Sequence, residues 1–246
     1  MTPPPVSIVT VAADGLFFVQ LLAHRVRATI GARAYEIIVV DRGSRDGLRA
    51  WVRAQPDMRL VTRRRWFWQR GHGHGEAAEA GVRAARHDRV VLLDSDAHPL
   101  TEDWLAGSVD RLDARHRLAG AISRSPHRGN PHGWYIHPHF MCFFRADLGG
   151  LVVLRKLRGE DTDTGEEATL RVLAAGLATI GHEMRRCEEF AVGHPEMPTV
   201  AGGVFHAWYV TRLTHNEAEV IRESNGLVSR ATYLEPLLAK LRAAYG

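Results

Sequence analysis

Short apolar runs alternate with amphipathic segments along the first half of the chain. Four runs have the length and the β-branched content of buried strands, at positions 6–11, 35–40, 58–62 and 89–93. Between them, apolar residues recur every three or four positions, which predicts amphipathic helices at 16–30, 48–54 and 76–86. Strands that alternate with helices favour an α/β fold with a mostly parallel central sheet flanked by helices.

The second half has a less regular pattern. Apolar spacing predicts further elements in this order: a helix at 100–117, strands at 118–122 and 135–144, a helix at 168–175, strands at 178–184 and 204–209, and a helix at 227–245 that is interrupted near Pro236. Between the first two of these strands, positions 123–133 are rich in Ser, Pro, Gly, Arg and His, which indicates a long loop. Neither an internal repeat nor a linker is evident, so we predict a single domain over 1–246.

Two carboxylates follow the buried strand at 89–93. Asp94 and Asp96 lie one residue apart, and Pro99 is expected to prevent the strand from continuing. Where a strand gives way to a turn, both carboxylates can reach one hard cation, and a phosphorylated ligand can complete its octahedron. Two solvated aspartates that begin a loop would have the same pattern. The pair is therefore a candidate site for Mg²⁺ or Mn²⁺.

Polar residues also end the first two predicted strands. In an open parallel sheet, ligands bind outside the carboxyl ends of the strands. Thr10, Asp41 and Asp94 are therefore expected along one edge of the sheet. The segment 63–70, which mixes arginine with aromatic residues, fits a nucleic-acid patch, a nucleotide site or an exposed loop; because it is short and unrepeated, we favour a small ligand.

Glycine and histidine alternate at 71–75, immediately before a predicted helix. Such a segment can bring backbone amides to an anionic group, but it matches neither the P-loop nor the dinucleotide fingerprint. His72 and His74 are left unassigned, since two histidines without a third ligand are more often polar loop groups.

Five carboxylates crowd into the nine residues 159–167, just before another predicted helix. Glu166 and Glu167 are interpreted as acidic residues that complement the helix dipole. Asp161 and Asp163 precede the first turn and are better placed to act on a ligand.

Composition is that of a globular protein. The 246 residues are 45% hydrophobic and 24% charged, and no apolar run approaches the ~18 residues of a membrane span. The first residues lack the apolar core of a signal peptide, so a cytoplasmic location is expected. Cys142 and Cys187 indicate neither a disulfide framework nor a zinc ribbon. A net charge of +4 is compatible with a nucleic acid, an acidic lipid surface or a phosphorylated small molecule.

The order of these signals resembles the family 2 glycosyltransferases, which have the GT-A fold. The matching segments are VSIVTV at 6–11, EIIVVDRGSRDG at 36–47, GHGEAAEAGVRAA at 73–85 and VLLDSD at 91–96. They look like the opening strand of that family, its E-hydrophobic-V-V-D-x-G-S-x-D-G segment, its glycine-entered helix and its DxD strand. Glu79 departs from the family, where many members carry asparagine in this helix.

The resemblance implies a nucleoside-diphosphate sugar as donor, with residues 6–122 binding the donor and 123–246, including the C-terminal helix, binding the acceptor. It implies donor contacts at Thr10, Ala12, Asp41, Arg65, Arg70, Gly75, Asp94 and Ser95. It also implies Mn²⁺ or Mg²⁺ held by Asp94 and Asp96. His206 resembles a late histidine that some GT-A enzymes use as a third metal ligand, and a core histidine between aromatic residues is an equal alternative.

The family inverts configuration, with a carboxylate that deprotonates the acceptor hydroxyl. Glu160-Asp161 looks like its Glu-Asp motif, but Thr162 to Gly165 depart from the usual pattern, so Asp161 and Asp163 are both candidates. The implied acceptor is a small molecule, a glycan or a lipid-linked molecule, in natural-product or cell-surface glycan synthesis. Neither a nucleic-acid partner nor a transmembrane segment is expected, and a homodimer is possible.

Two other classes of protein share part of this pattern. A haloacid-dehalogenase-like phosphatase would use Asp94 and Asp96. Its motif usually continues to a threonine or valine, whereas His98 and Pro99 follow here. The motif also normally lies on the first strand of that fold, whereas two βα units precede it in this chain. A basic nucleic-acid-binding protein would use 63–70, but its basic stripe would be diluted by 28 acidic residues.

Overall fold

The structure is a computed structural model that describes residues 3–62, 73–127, 129–155, 163–215, 220–223 and 226–245. Its strands are β1 (Val6–Ala12), β2 (Tyr35–Asp41), β3 (Met58–Thr62), β4 (Arg89–Leu93), β5 (Ala97–Pro99), β6 (His116–Arg124), β7 (Trp134–Phe144), β8 (Ala178–Glu183), β9 (Arg185–Arg186), β10 (Thr199–Ala201), β11 (Val204–His206), β12 (Val220–Glu223) and β13 (Gly226–Ser229). Its helices are α1 (Leu16–Thr29), α2 (Leu48–Arg53), α3 (Gly73–Ala84), α4 (Glu166–Ala174), α5 (Val210–His215) and α6 (Glu235–Tyr245).

A seven-stranded sheet in the order β3-β2-β1-β4-β7-β6-β8 forms the centre of the fold. Strands β1 to β4 run parallel to one another, as do β6 and β8, and β7 is antiparallel to both of its neighbours. Because successive side chains of a strand point to opposite faces, Ile8 belongs to the apolar cluster that includes α1 and α2, while Val9 belongs to the cluster that includes α3 and α4. The predicted α/β fold with a mostly parallel sheet flanked by helices is confirmed.

A smaller sheet, in the order β5-β11-β10-β9, lies beside the carboxylate pair. The buried strand does end before Pro99, at Leu93, but Ala97–Pro99 forms a separate strand, missed from the sequence, that pairs antiparallel with β11. Proline is tolerated there because β5 is an edge strand of this sheet. This pairing joins the chain just after Asp96 to the strand that ends at His206.

The predicted helix at 100–117 is wrong. Turns occupy 102–108, a short 3-10 helix spans Val109–Arg111, and β6 already begins at His116. Trp104, Leu105 and Val109 are nevertheless buried. Consecutive tight turns can bring apolar residues to one side of the chain, as a helix does. The spacing of these apolar residues therefore indicated which side chains are buried, but not the backbone conformation.

The C-terminal prediction is correct only in part. Residues 226–229 form β13, a single π-helical stretch covers Arg230–Leu234, and α6 begins at Glu235. Pro236 is the second residue of α6 and follows the π-helical stretch directly. Among the described helices, none has the length and apolar character that a bilayer-spanning segment needs.

Candidate active site

The carboxyl ends of β1, β2 and β4 meet at one edge of the central sheet, as predicted. Ala12 is paired with Asp41, and Val9 is paired with Leu92, which places Asp94 just beyond the end of β4 at that edge. Thr10 is fully buried, and its hydroxyl has no hydrogen-bond partner among the described residues. This edge therefore carries polar groups from three neighbouring strands.

Asp41 organises the turn that follows β2. Its buried carboxylate accepts hydrogen bonds from the amides of Ser44 at 2.8 Å and Gly43 at 3.2 Å, and from Arg49 Nε at 2.5 Å. Burial by itself would raise the pKa of Asp41, but the hydrogen bonds from Ser44, Arg49 and Gly43 lower it below its usual value. The carboxylate is thus ionised and held in place, and its contact with a nucleoside stays a prediction.

The turns after β1 and β2 are tied to each other. The Asp14 carboxylate accepts a hydrogen bond from the Arg45 amide at 2.6 Å, and the Asp14 amide donates to the Ser44 hydroxyl at 3.0 Å. A Cβ placed on Gly15 would lie 3.9 Å from the Ser95 hydroxyl, so Ser95 borders the same corner. Asp14 was missed from the sequence because its partners come from the turn 30 residues later.

Asp94, Asp96 and His206 converge at this edge. The pairing of Ala97 with His206 brings His206 Nε2 to 3.4 Å from Asp96 Oδ1 and 3.7 Å from Asp94 Oδ2. Ligand atoms from all three residues lie within 4.8 Å of one another. Asp96 and His206 are 7% and 3% exposed, so a cation held between them would be largely removed from water.

Aromatic rings hold the His206 imidazole. His139 stacks on it at a centroid distance of 4.3 Å and an angle of 13°, and Trp208 contacts it at 4.4 Å. Tyr135, His137 and His139 alternate along β7, and neighbouring rings are 5.7 and 4.9 Å apart, so the two histidines lie on one face of the strand. Burial lowers the pKa of His137 to about 4 and that of His139 well below its usual value, so both are neutral near pH 7.

His74, in the first turn of α3, contacts the carboxylate pair. Its Nε2 lies 3.3 Å from Asp94 Oδ1. Burial by itself would raise the pKa of Asp94, but His74, together with His206 and His137, lowers it far below its usual value. Sequence reasoning left His74 unassigned, because nothing local shows that the start of α3 lies beside the end of β4.

Close packing positions the start of α3. A Cβ on Gly75 would lie 2.1 Å from the carbonyl oxygen of Leu154, so only glycine fits there. The buried Glu79 carboxylate accepts hydrogen bonds from the amides of Leu154 at 3.3 Å and Arg155 at 3.4 Å. Glu79 therefore has a structural role, and the donor contact of Gly75 stays a prediction.

Residues 18–166 match the family model of glycosyl transferase family 2. The chain belongs to this family. The prediction of a glycosyltransferase is thereby confirmed, and the match favours it over the phosphatase and nucleic-acid-binding alternatives. No curated protein matches the chain.

Solved structures share the fold of this glycosyltransferase. A mannosyltransferase from Pyrobaculum calidifontis, in complex with GDP-Man and Mn²⁺, is 21% identical, with a TM-score of 0.57 over 74% of this chain. A glucosyl-3-phosphoglycerate synthase from Mycobacterium tuberculosis, in complex with Mn²⁺, UDP-Glc and phosphoglyceric acid, is 19% identical, with a TM-score of 0.53 over 73% of this chain. The match spans 55% of the mannosyltransferase and 69% of the synthase.

Asp163, a predicted site residue of this glycosyltransferase, lies just before α4 and contacts β7. Its carboxylate accepts a hydrogen bond from the Tyr135 hydroxyl at 2.9 Å, and its amide donates to Glu166 at 3.1 Å. Glu166 is fully buried and also accepts hydrogen bonds from the side-chain Nδ2 of Asn130 at 2.8 Å and from the Ser125 hydroxyl. Glu166 thus joins the long loop to α4, beyond the helix-dipole role expected for it.

The structure brings together some of the predicted site residues. Asp94, Asp96 and His206 form one cluster, while Thr10, Ala12, Asp41 and Ser95 border the same sheet edge. Asp161, Arg65 and Arg70 lie outside the described residues. His74, Trp208 and Tyr135 were missed as site residues, and only the alternation of His137 with His139 was a sequence signal for this surface.

Proposed function

We propose that this glycosyltransferase transfers a sugar from a nucleoside-diphosphate sugar to an acceptor hydroxyl, with a divalent Mn²⁺ or Mg²⁺ ion held by Asp94, Asp96 and His206. The convergence of these three residues carries the proposal. Two carboxylates suit either ion, and the His206 imidazole favours Mn²⁺, since Mg²⁺ prefers a shell made only of oxygen ligands. The solved mannosyltransferase and synthase complexes, both with Mn²⁺ and a nucleoside-diphosphate sugar, support the donor class and the metal.

Each group in the cluster has a role that its geometry permits. When bound, the ion would act as a Lewis acid that stabilises negative charge on the leaving nucleoside diphosphate. Asp94 and Asp96 would hold it at the edge where β1 and β2 also end, so Thr10, Ala12 and Asp41 are available to the nucleoside. His206, at the end of β11, would be the third protein ligand of the ion. His139 and Trp208 pack against its ring and keep it in place.

The proposed reaction is a single displacement that inverts configuration. Asp161 or Asp163 would remove the proton from the acceptor hydroxyl as it attacks the anomeric carbon. The hydrogen bond from Tyr135 supports Asp163, because it fixes the orientation of the Asp163 carboxylate beside β7. On that strand Tyr135 lies two residues from His137. The acceptor, as a small molecule, a glycan or a lipid-linked molecule, stays a prediction, as do the pathway, the homodimer and the cytoplasmic location.

A thermal-shift panel tests the proposal. The chain is heated with UDP, GDP, ADP, CMP or dTDP, each with and without Mn²⁺ or Mg²⁺, because a ligand that binds only the folded state raises the melting temperature. We expect a metal-dependent rise with one nucleoside diphosphate, which would identify the donor base. The proposal fails if none of the five stabilises the chain while a phosphate mimic with Mg²⁺ does, since that pattern indicates a phosphatase.

A further inference from the structure

The Asp94 carboxylate has two different environments at its two oxygens. Oδ2 lies 3.7 Å from His206 Nε2, on the side where the three candidate metal ligands converge. Oδ1 is buried, lies 3.3 Å from His74 Nε2 and has no hydrogen bond with standard geometry to any described residue. A carboxylate that binds a metal through one oxygen is usually hydrogen-bonded at the other, which sets its orientation.

The fold determines where His74 lies. It is the second residue of α3 and is followed by Gly75, whose missing side chain lets the first turn press against the backbone of Leu154. One turn later, Glu79 binds the amides of Leu154 and Arg155, and a Cβ on Gly81 would lie 2.5 Å from Val9, so the helix also packs closely on β1. The start of α3 is thus held beside the end of β4, with the His74 side chain 38% exposed at the site.

From this geometry we propose that His74 is a positioning residue for the metal site. With the ion bound, His74 Nε2–H, which lies 3.3 Å from Asp94 Oδ1, would donate to that oxygen and turn Oδ2 towards the ion shared with Asp96 and His206. The inference rests on the proposed function, because it requires a metal in that cluster. It adds a residue outside the predicted ligand set and assigns to it the orientation of Asp94.

The test is Mn²⁺ affinity without nucleotide, measured from the free-ion signal in electron paramagnetic resonance. His74→Ala should weaken Mn²⁺ binding about 10- to 100-fold, the range for lost outer-shell partners of metal ligands. His74→Gln should restore affinity to near that of the unaltered chain, because its side-chain amide can donate from a similar position. His24→Ala, which removes an exposed histidine of α1, is the matched control and should bind like the unaltered chain.

The outcomes separate the two proposals. Unchanged affinity in His74→Ala, alongside lost binding in Asp94→Asn, would overturn the role of His74 and leave the metal site intact. Equally weak binding in His74→Ala and His74→Gln would overturn it too, because the imidazole itself would then be needed as a ligand. Failure of the unaltered chain to bind Mn²⁺ would overturn the metal site and this inference together. Because the side chain is partly exposed, circular dichroism should show both His74 variants folded.

Discussion

Replacing Asp96 by asparagine separates metal binding from folding. Asparagine has nearly the same shape as aspartate, so packing at this 7% exposed position is retained while one of the two negative charges offered to the ion is removed. Because the metal binds only to the folded arrangement of Asp94, Asp96 and His206, its affinity appears as added stability. The change should therefore alter the melting temperature in Mn²⁺ much more than in chelator.

The size of the effect follows from mass action. Mn²⁺ at 100 times its Kd stabilises the native state by about 2.7 kcal/mol. At about 2–4 °C per kcal/mol for a chain of this size, the unaltered protein should melt about 5–11 °C higher in Mn²⁺ than in chelator. If Asp96→Asn weakens binding about 100-fold, the remaining stabilisation is about 0.4 kcal/mol, or about 1 °C.

The assay is a pair of melting curves, with Mn²⁺ and with chelator, for each variant. Asp113→Asn is the control, since this carboxylate is 59% exposed on a surface turn and should leave the full Mn²⁺ shift. A full shift retained in Asp96→Asn would refute the reasoning and remove Asp96 from the metal site.

Two further predictions concern the acceptor side and the packing of α3. Asp163→Asn should reduce turnover by about 10²- to 10⁴-fold, measured as release of nucleoside diphosphate, with the donor-induced thermal shift unchanged; full turnover would assign the base to Asp161 or another group. Gly75→Ala should cost about 1–3 kcal/mol in urea unfolding, because the added Cβ would lie 2.1 Å from the Leu154 carbonyl oxygen. Gly150→Ala, whose Cβ would meet its nearest described atom at 3.8 Å, should change stability by less than about 0.5 kcal/mol, and equal losses in both would contradict the steric explanation.

The predicted elements were most accurate where periodicity and turn residues agreed. The apolar runs of β1, β2 and β4 end in polar residues, and the parallel pairing places those ends at one edge. The helix predicted at 100–117 failed, because apolar spacing reports which side chains are buried and a series of turns can bury the same set. The spacing of Trp104 and Val109 therefore has no power to distinguish the two backbones.

In the candidate site too, some residues can be recognised from the sequence and others only from the tertiary structure. Asp94 and Asp96 are recognisable as a pair because their spacing alone places two carboxylates at the end of a buried strand. His206 follows 110 residues after Asp96 and reaches it only through the antiparallel pairing of β5 with β11. Tyr135 reaches Asp163, 28 residues further along the chain, through a side-chain hydrogen bond.

The sequence by itself determined the order of strands and helices in the first half, the sheet edge at which polar residues gather and the carboxylate pair at its centre. These depend on local properties: burial, side-chain period, turn chemistry and the spacing of two charges. Tertiary structure alone decided that His206 completes the candidate metal cluster, that His74 lies against Asp94 and that Tyr135 holds Asp163. These contacts depend on strand pairing and helix packing, which place distant residues side by side through backbone hydrogen bonds and close contacts that no single segment encodes.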